Sequence, residues 1–257
     1  MAVVNILVEG KDDLIFVRRL IEVMRTAAKL APLKWSLANQ NEKVGLKTCN
    51  GEMEFGNCVV QNGGDVIGIT ETRGVYGCKK NTSVPNFNPA VTTLKLGGKT
   101  YKVGQFLGIF DADAPTNFLG HHVPFGGFTA RKAYLNGMLS RLPGKHSLFL
   151  LKDNSSDTCL EELAVDILAV PYKQILPKHW PSYRASLKAD FLANHVSYLE
   201  YSRKCEIAQF ATAVDQEVAK DLYWLAALWN PNMWNWGATA LAPLTVHLKS
   251  NVPSLFV

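Results

Sequence analysis

The chain has 257 residues, 47% of them hydrophobic and 19% charged, which is enough to bury a substantial core and excludes an intrinsically disordered sequence. A formal net charge of +5 admits a polyanionic partner without demanding one. The five cysteines, an odd number without CxxC spacing, argue against a disulfide framework and a zinc site, and they read as reduced thiols of a cytoplasmic protein.

The opening residues, Met1 to Glu9, lack the basic region and long apolar run of a signal peptide. No stretch reaches the roughly 18–20 apolar residues of a membrane span. The richest run, Leu222 to Trp229, is short and meets Asn230-Pro231-Asn232.

Val3 to Val8 is a β-branched and aliphatic run that predicts a buried strand. Asp12 and Asp13 then precede Leu14, Phe16, Val17, Leu20, Ile21 and Met24, which gives a helix with acids in its first turn. Residues 35–105 are rich in Gly, Asn and Thr, with turn signals at Asn50-Gly51, Asn62-Gly63-Gly64 and Gly97-Gly98. Short alternating runs between them predict hairpins, read as a β-rich elaboration inserted after the first helix. Gly98-Lys99-Thr100 ends like a phosphate-binding loop, but position 93 is Thr93 where that pattern needs glycine, so a hairpin turn is expected.

Phe106 to Phe110 predicts a second apolar strand, ending in Asp111-Ala112-Asp113. A helix is expected over 130–142, a strand over 147–151 ending in Lys152-Asp153-Asn154, and a helix starting near Thr158. Beyond about residue 180 the pattern is helical, with segments at 183–192, 198–214, 216–228 and 239–248. Alternating strands and helices predict an α/β fold with a mostly parallel, Rossmann-like sheet flanked by helices. The expected division is an α/β domain over 1–175, with the insertion at about 35–105, and a helical C-terminal extension over 176–257 packed on it.

In an open α/β sheet, ligands bind beyond the carboxyl ends of the strands. Glu9 ends the first strand there, and Asp111 and Asp113 end a later one; Asp153 stands at a third strand end. Hard divalent cations prefer carboxylate oxygens. Side chains two apart share a face of extended backbone, so Asp111 and Asp113 are expected to address one ion. Gly10 is read as permitting a tight turn into the next helix.

Val8-Glu9-Gly10-Lys11-Asp12-Asp13 and Leu107 to Asp113 resemble the two motifs of Toprim domains: a hydrophobic strand with Glu-Gly and an acid four residues after the Glu, and a hydrophobic strand ending in Asp-x-Asp. Ser147 to Asn154 with Leu160-Glu161-Glu162-Leu163, and Lys204 within Ser202-Arg203-Lys204-Cys205, resemble the Toprim portion of the overcoming-lysogenization-defect (OLD) nucleases. The resemblance implies phosphodiester cleavage assisted by Mg²⁺ or Mn²⁺, with one or two ions. It implies Glu9, Asp111 and Asp113 on one metal, Asp13 and Glu161 towards a second, and Lys204 offsetting phosphate charge. It also implies nucleic acid as the partner and a role in defence against phage or foreign nucleic acid. The chain departs from the wider pattern at Ala114, Pro115 and Thr116, and any ATPase would be a separate chain.

Plainer readings stand beside these. Asp13, Glu161 and Glu162 also suit the first turns of their helices, and Lys204 also suits a surface. His121-His122 reads as a loop pair. The Trp224, Trp229, Trp234 and Trp236 cluster reads as packing rather than base stacking, and Arg18-Arg19 and Lys79-Lys80 as solvated faces. Two other functions remain open: a non-catalytic binding module working with a partner ATPase, and another phosphoryl-transfer hydrolase. A homodimer is left open, and no membrane association is expected.

Overall fold

The computed structural model describes residues 1–38, 43–48, 51–72, 89–115, 125–193, 207–208, 210–211 and 224–257. The expectations for Lys204, His121-His122, Lys79-Lys80, Cys49, Cys78, Cys205 and most of 198–223 lie outside them.

The core is a six-stranded sheet. Its centre is β1 (Val3–Val8), with β6 (Asp65–Glu71) parallel on one side and β9 (Gln105–Asp111) parallel on the other. β10 (Lys145–Leu151) extends the sheet in parallel beyond β9. β5 (Cys58–Asn62) and β2 (Ser36–Leu37) close the other edge in antiparallel pairing. The mixed α/β fold with a mostly parallel sheet is therefore as expected.

Strands of this kind are buried on both faces and so carry near-continuous apolar runs. Val4, Ile6 and Val8 of β1 face one core cluster, with Leu107, Ile109, Phe149 and Leu151 from the neighbouring strands. Leu7 faces the opposite cluster with Phe106, Phe110, Leu148 and Leu150. The first face is covered by α1 (Lys11–Ala27), which buries Leu14, Ile15, Phe16, Val17, Leu20 and Ile21. The second is covered by α2 (Phe128–Leu139) through Leu135, Met138 and Leu139, and by the hairpin of β7 (Thr93–Leu96) and β8 (Lys99–Lys102).

The segment read as an insertion is partly core. β5 and β6 form the expected hairpin, but β6 also lies directly beside β1. β3 (Val44–Thr48) with β4 (Gly51–Phe55), and β7 with β8, make separate two-stranded sheets. Gly97 and Gly98 both take positive φ, 56° and 76°, at the β7–β8 turn, so Gly98-Lys99-Thr100 is a hairpin as expected.

α3 (Leu160–Asp166) and α4 (Val170–Ala193) follow β10. The described end of the expected 216–228 helix is a 3₁₀ helix, Trp224–Trp229, closed by Asn230 N–H donating to the Ala227 carbonyl at 2.8 Å. Pro231 disfavours a helical residue 230, which stops the run. A 3₁₀ turn, Thr239–Leu241, leads into α5 (Ala242–Asn251). Leu241, Leu244, Leu248, Val252 and Leu255 join the cluster of α1, so this tail shares the core of the α/β part. Asn251 ties it to the sheet, accepting from Gln105 Nε2 at 3.0 Å and from Ser147 Oγ at 2.9 Å.

Three of the four clustered tryptophans pack: Trp229 and Trp234 are buried, and Phe16 lies 6.1 Å from Trp236, while the Trp224 side chain lies outside those described. Arg18 and Arg19 are not a freely solvated pair. The Arg18 guanidinium lies 4.8 Å from the Phe55 ring and that of Arg19 5.1 Å from Trp229. Among the described residues no helix is long and apolar enough to cross a membrane.

Gly144 opens β10 at φ 116°, and an added Cβ would sit 2.4 Å from the Gly104 carbonyl oxygen. Gly144→Ala combines backbone strain of about 1–3 kcal/mol with a clash against main chain that cannot rotate away. Chemical denaturation should show a loss of at least ~2 kcal/mol. An unchanged midpoint would contradict the close approach of the β9 and β10 entries.

Candidate metal centre

Parallel pairing of β1 with β9 sets Val8 against Ile109, so Glu9 and Asp111 leave adjacent strands at the same edge. α1 begins at once, and Asp13 accepts the Gly10 N–H at 2.9 Å, capping the helix. α3 brings a third chain segment. Its first N–H, of Leu160, donates to Asp111 Oδ1 at 2.9 Å, and Glu161 in its first turn is buried.

Electrostatics show how close these acids lie. Asp111 keeps part of its surface open, yet its pKa is raised well above the usual carboxylate range. Desolvation is the largest cause, followed by the charges of Asp13, Glu9, Glu161 and Asp113. Asp13 is raised as well, by burial first and then by Glu9, against the lowering effect of the Gly10 N–H. Glu9, Asp13, Asp111, Asp113 and Glu161 therefore share one like-charge site. Burial, with Asp111 and Glu161 next, also pushes the Cys159 thiol well up, which leaves it protonated and a poor nucleophile.

A residue absent from the sequence expectations lies at its centre. Arg131 is 1% exposed. Its Nε donates to the Asp111 carbonyl at 3.0 Å, and one terminal nitrogen donates to Glu9 Oε2 at 3.2 Å and to Asp113 Oδ2. The signal was present: Arg131 lies in register with Leu135, Met138 and Leu139, on the stripe that α2 buries. A cation in the first turn of a helix also opposes the helix dipole, so facing acids are needed to hold it there.

Two geometric expectations are corrected. Asp113 has φ 51°, a left-handed residue past the end of β9, so it does not share a strand face with Asp111 by alternation. It reaches Glu9 through Arg131, and its carbonyl accepts Gly127 N–H at 2.9 Å. Gly10 has φ −142° and ψ −174°, extended backbone that any residue adopts, so it makes no tight turn.

Asp153 serves a turn. Its Oδ1 accepts Ser155 N–H at 2.9 Å, Ser156 N–H at 3.0 Å and Ser156 Oγ–H at 2.8 Å. Burial alone would raise its pKa, but these bonds hold it below the usual range.

The donor set is chemically that of a hard divalent cation: several carboxylate oxygens, with Arg131 as the cation bonded to them among the described residues. Among the described residues no three potential ligands already stand as a coordination set, and Glu9 and Asp113 share the Arg131 guanidinium. Any ion held here would compete with that guanidinium for oxygens.

The folded state raises the Asp111 pKa, so it binds more protons than the unfolded chain above the ordinary 3.8. Stability must then fall as pH rises from about that value towards the raised pKa. Asp111→Asn keeps an acceptor for Leu160 N–H and removes the charge, so its thermal midpoint at pH 7 should rise by about 2–4 °C. The gain should vanish near pH 3; a lower midpoint at pH 7 would contradict the like-charge site. Arg131→Met should act oppositely, losing about 2–4 kcal/mol in chemical denaturation at pH 7 because Glu9 and Asp113 lose the guanidinium bonded to them.

Comparison with protein-family models, with curated proteins and with solved structures returns no match for this chain.

Proposed function

We propose that this chain is a metal-dependent phosphodiesterase, a nuclease of the OLD-like Toprim type, acting on nucleic acid in defence against phage or other foreign genomes. One observation carries the reading: the Asp111 carboxylate, at the carboxyl edge of a mostly parallel sheet, lies within the field of Asp13, Glu9, Glu161 and Asp113. Acids so crowded are unfavourable for folding, and they suit a cation.

In this reading the α/β part over 1–175 is the Toprim-like unit and 176–257 its helical extension. Glu9, Asp111 and Asp113 hold one Mg²⁺ or Mn²⁺, and Asp13 and Glu161 contribute to a second. A bound ion supplies Lewis-acid stabilisation of the phosphoryl oxygens and a more acidic water. The chain's own part is positional. β1 and β9 fix Glu9 and Asp111, the Leu160 N–H orients Asp111, and Arg131 holds Glu9 and Asp113 together. Lys204 is assigned to the phosphate. The protein acts in the cytoplasm, with a separate ATPase chain and a homodimer as its candidate assemblies.

A second reading is favoured by Arg131. Its bonds to Glu9 and Asp113 occupy two of the proposed ligands, as a non-catalytic module working with an ATPase would permit.

Purified protein with Mg²⁺ or Mn²⁺ should cut at least one of plasmid DNA, single-stranded DNA and tRNA. Asp111→Ala and Glu9→Ala should each reduce cutting by at least ~100-fold. Cutting that survives both changes sinks the assigned site. Calorimetric Mn²⁺ binding without turnover on any of these substrates selects the module reading.

A further inference from the structure

A cleft of about 710 Å³ lies beyond the carboxyl end of β10, with Lys152, Asp166, Lys173, Asn235 and Thr239 among its walls. It adjoins the acidic centre on two sides. Lys152 follows Leu151, whose register partner is Asp111. Glu161 in the first turn of α3 and Asp166 at its end lie about 7–8 Å apart along the axis at ~1.5 Å per residue.

The cleft sets two lysines, Lys152 and Lys173, against two aspartates, Asp153 and Asp166, and retains several spare donors. Lys152 Nζ bonds Asp166 Oδ2 at 2.7 Å, and Lys173 Nζ bonds the Asp166 carbonyl at 3.0 Å. Each ammonium carries three N–H groups, so each retains donors. Asn235 spends its side-chain oxygen on Gly237 N–H at 3.1 Å, leaving its NH₂ group without a partner among the described residues. The Thr239 hydroxyl also has none there. The cleft acids are structural anchors: Asp166 holds the two lysines, and Asp153 organises the 153–156 turn.

We propose that this cleft binds a phosphate group of a nucleic-acid strand next to the one at the acidic centre, with Lys152 and Lys173 as its cations and Asn235 and Thr239 as further donors. The choice of a strand rests on the nuclease reading. A free phosphate monoester shares the same chemistry, and the experiment separates the two.

The test is fluorescence anisotropy of the full chain with labelled single-stranded DNA and RNA, in Ca²⁺ and in EDTA, between 50 and 200 mM salt. Lys173→Gln removes an exposed charge and one bond to main chain. It should weaken binding roughly 3–10-fold whatever the base sequence and reduce the log–log salt slope by about 0.7. Lys249→Gln, the same loss of charge on the exposed end of α5, should change neither. Equal effects from the two variants, no effect from Lys173→Gln, or no strand binding by the wild type would each overturn the proposal. A rise in thermal midpoint with inorganic phosphate that Lys173→Gln abolishes, with strand binding unchanged, would assign the cleft to free phosphate and overturn the strand. Metal-dependent cleavage indifferent to Lys173→Gln keeps the nuclease and removes the cleft. Strand binding that depends on Lys173 without any cleavage keeps the cleft and removes the nuclease.

Discussion

The mutual repulsion of Glu9, Asp13, Asp111, Asp113 and Glu161 is the constraint to which the rest of this structure answers. Carboxylates removed from water lose hydration and meet one another's charge through a medium that screens poorly. They stay together because each stands on an element anchored elsewhere. β1 is paired on both sides, α1 is buried along its apolar face, and α3 begins on the Asp111 carboxylate. Rigid elements can hold groups where isolated side chains would swing apart.

The buried Arg131 of the centre has its own chain of causes. Gly108 of β9 faces α2, and a Cβ there would lie 3.2 Å from both Leu139 Cδ1 and Leu148 Cδ1 and 2.8 Å from Phe110 Cε2. The missing side chain lets α2 settle against the sheet. That contact buries Leu135, Met138 and Leu139, and the same stripe carries Arg131 down to the strand ends. A packing feature of β9 thus delivers the charge that holds Glu9 and Asp113.

The parts legible in the sequence are those whose signal is local. Val3–Val8, Lys11–Ala27, Gln105–Asp111 and Lys145–Leu151 each carry their own apolar run or helical stripe, and each appears close to where that pattern puts it. β6 was legible as a strand but not as the neighbour of β1, because Val66-Ile67-Gly68-Ile69 reads the same in an outlying hairpin as in a central sheet. Glu9 and Asp111 could be read from the strands they end. Arg131 carried only its register with Leu135, Met138 and Leu139, a faint signal because a charged residue on a short helix is ordinarily solvated; the fold shows that its position faces inwards. The left-handed turn at Asp113 was hidden for the same reason: no glycine marks it.

The charge balance makes the two halves of the site depend on each other. Against these acids Arg131 offers a single positive charge, already shared between Glu9 and Asp113. A phosphodiester brought to this edge of the sheet would meet the negative charge of these carboxylates. Lys152 and Lys173 stand one short helix away, in a cleft they share with Asp153 and Asp166. The proposed cation site and the proposed phosphate cleft would together resolve a conflict that neither resolves alone. In the proposed nuclease, the acids would gather the positive charge that chemistry on phosphate requires, and Lys152 and Lys173 would hold the strand beside them.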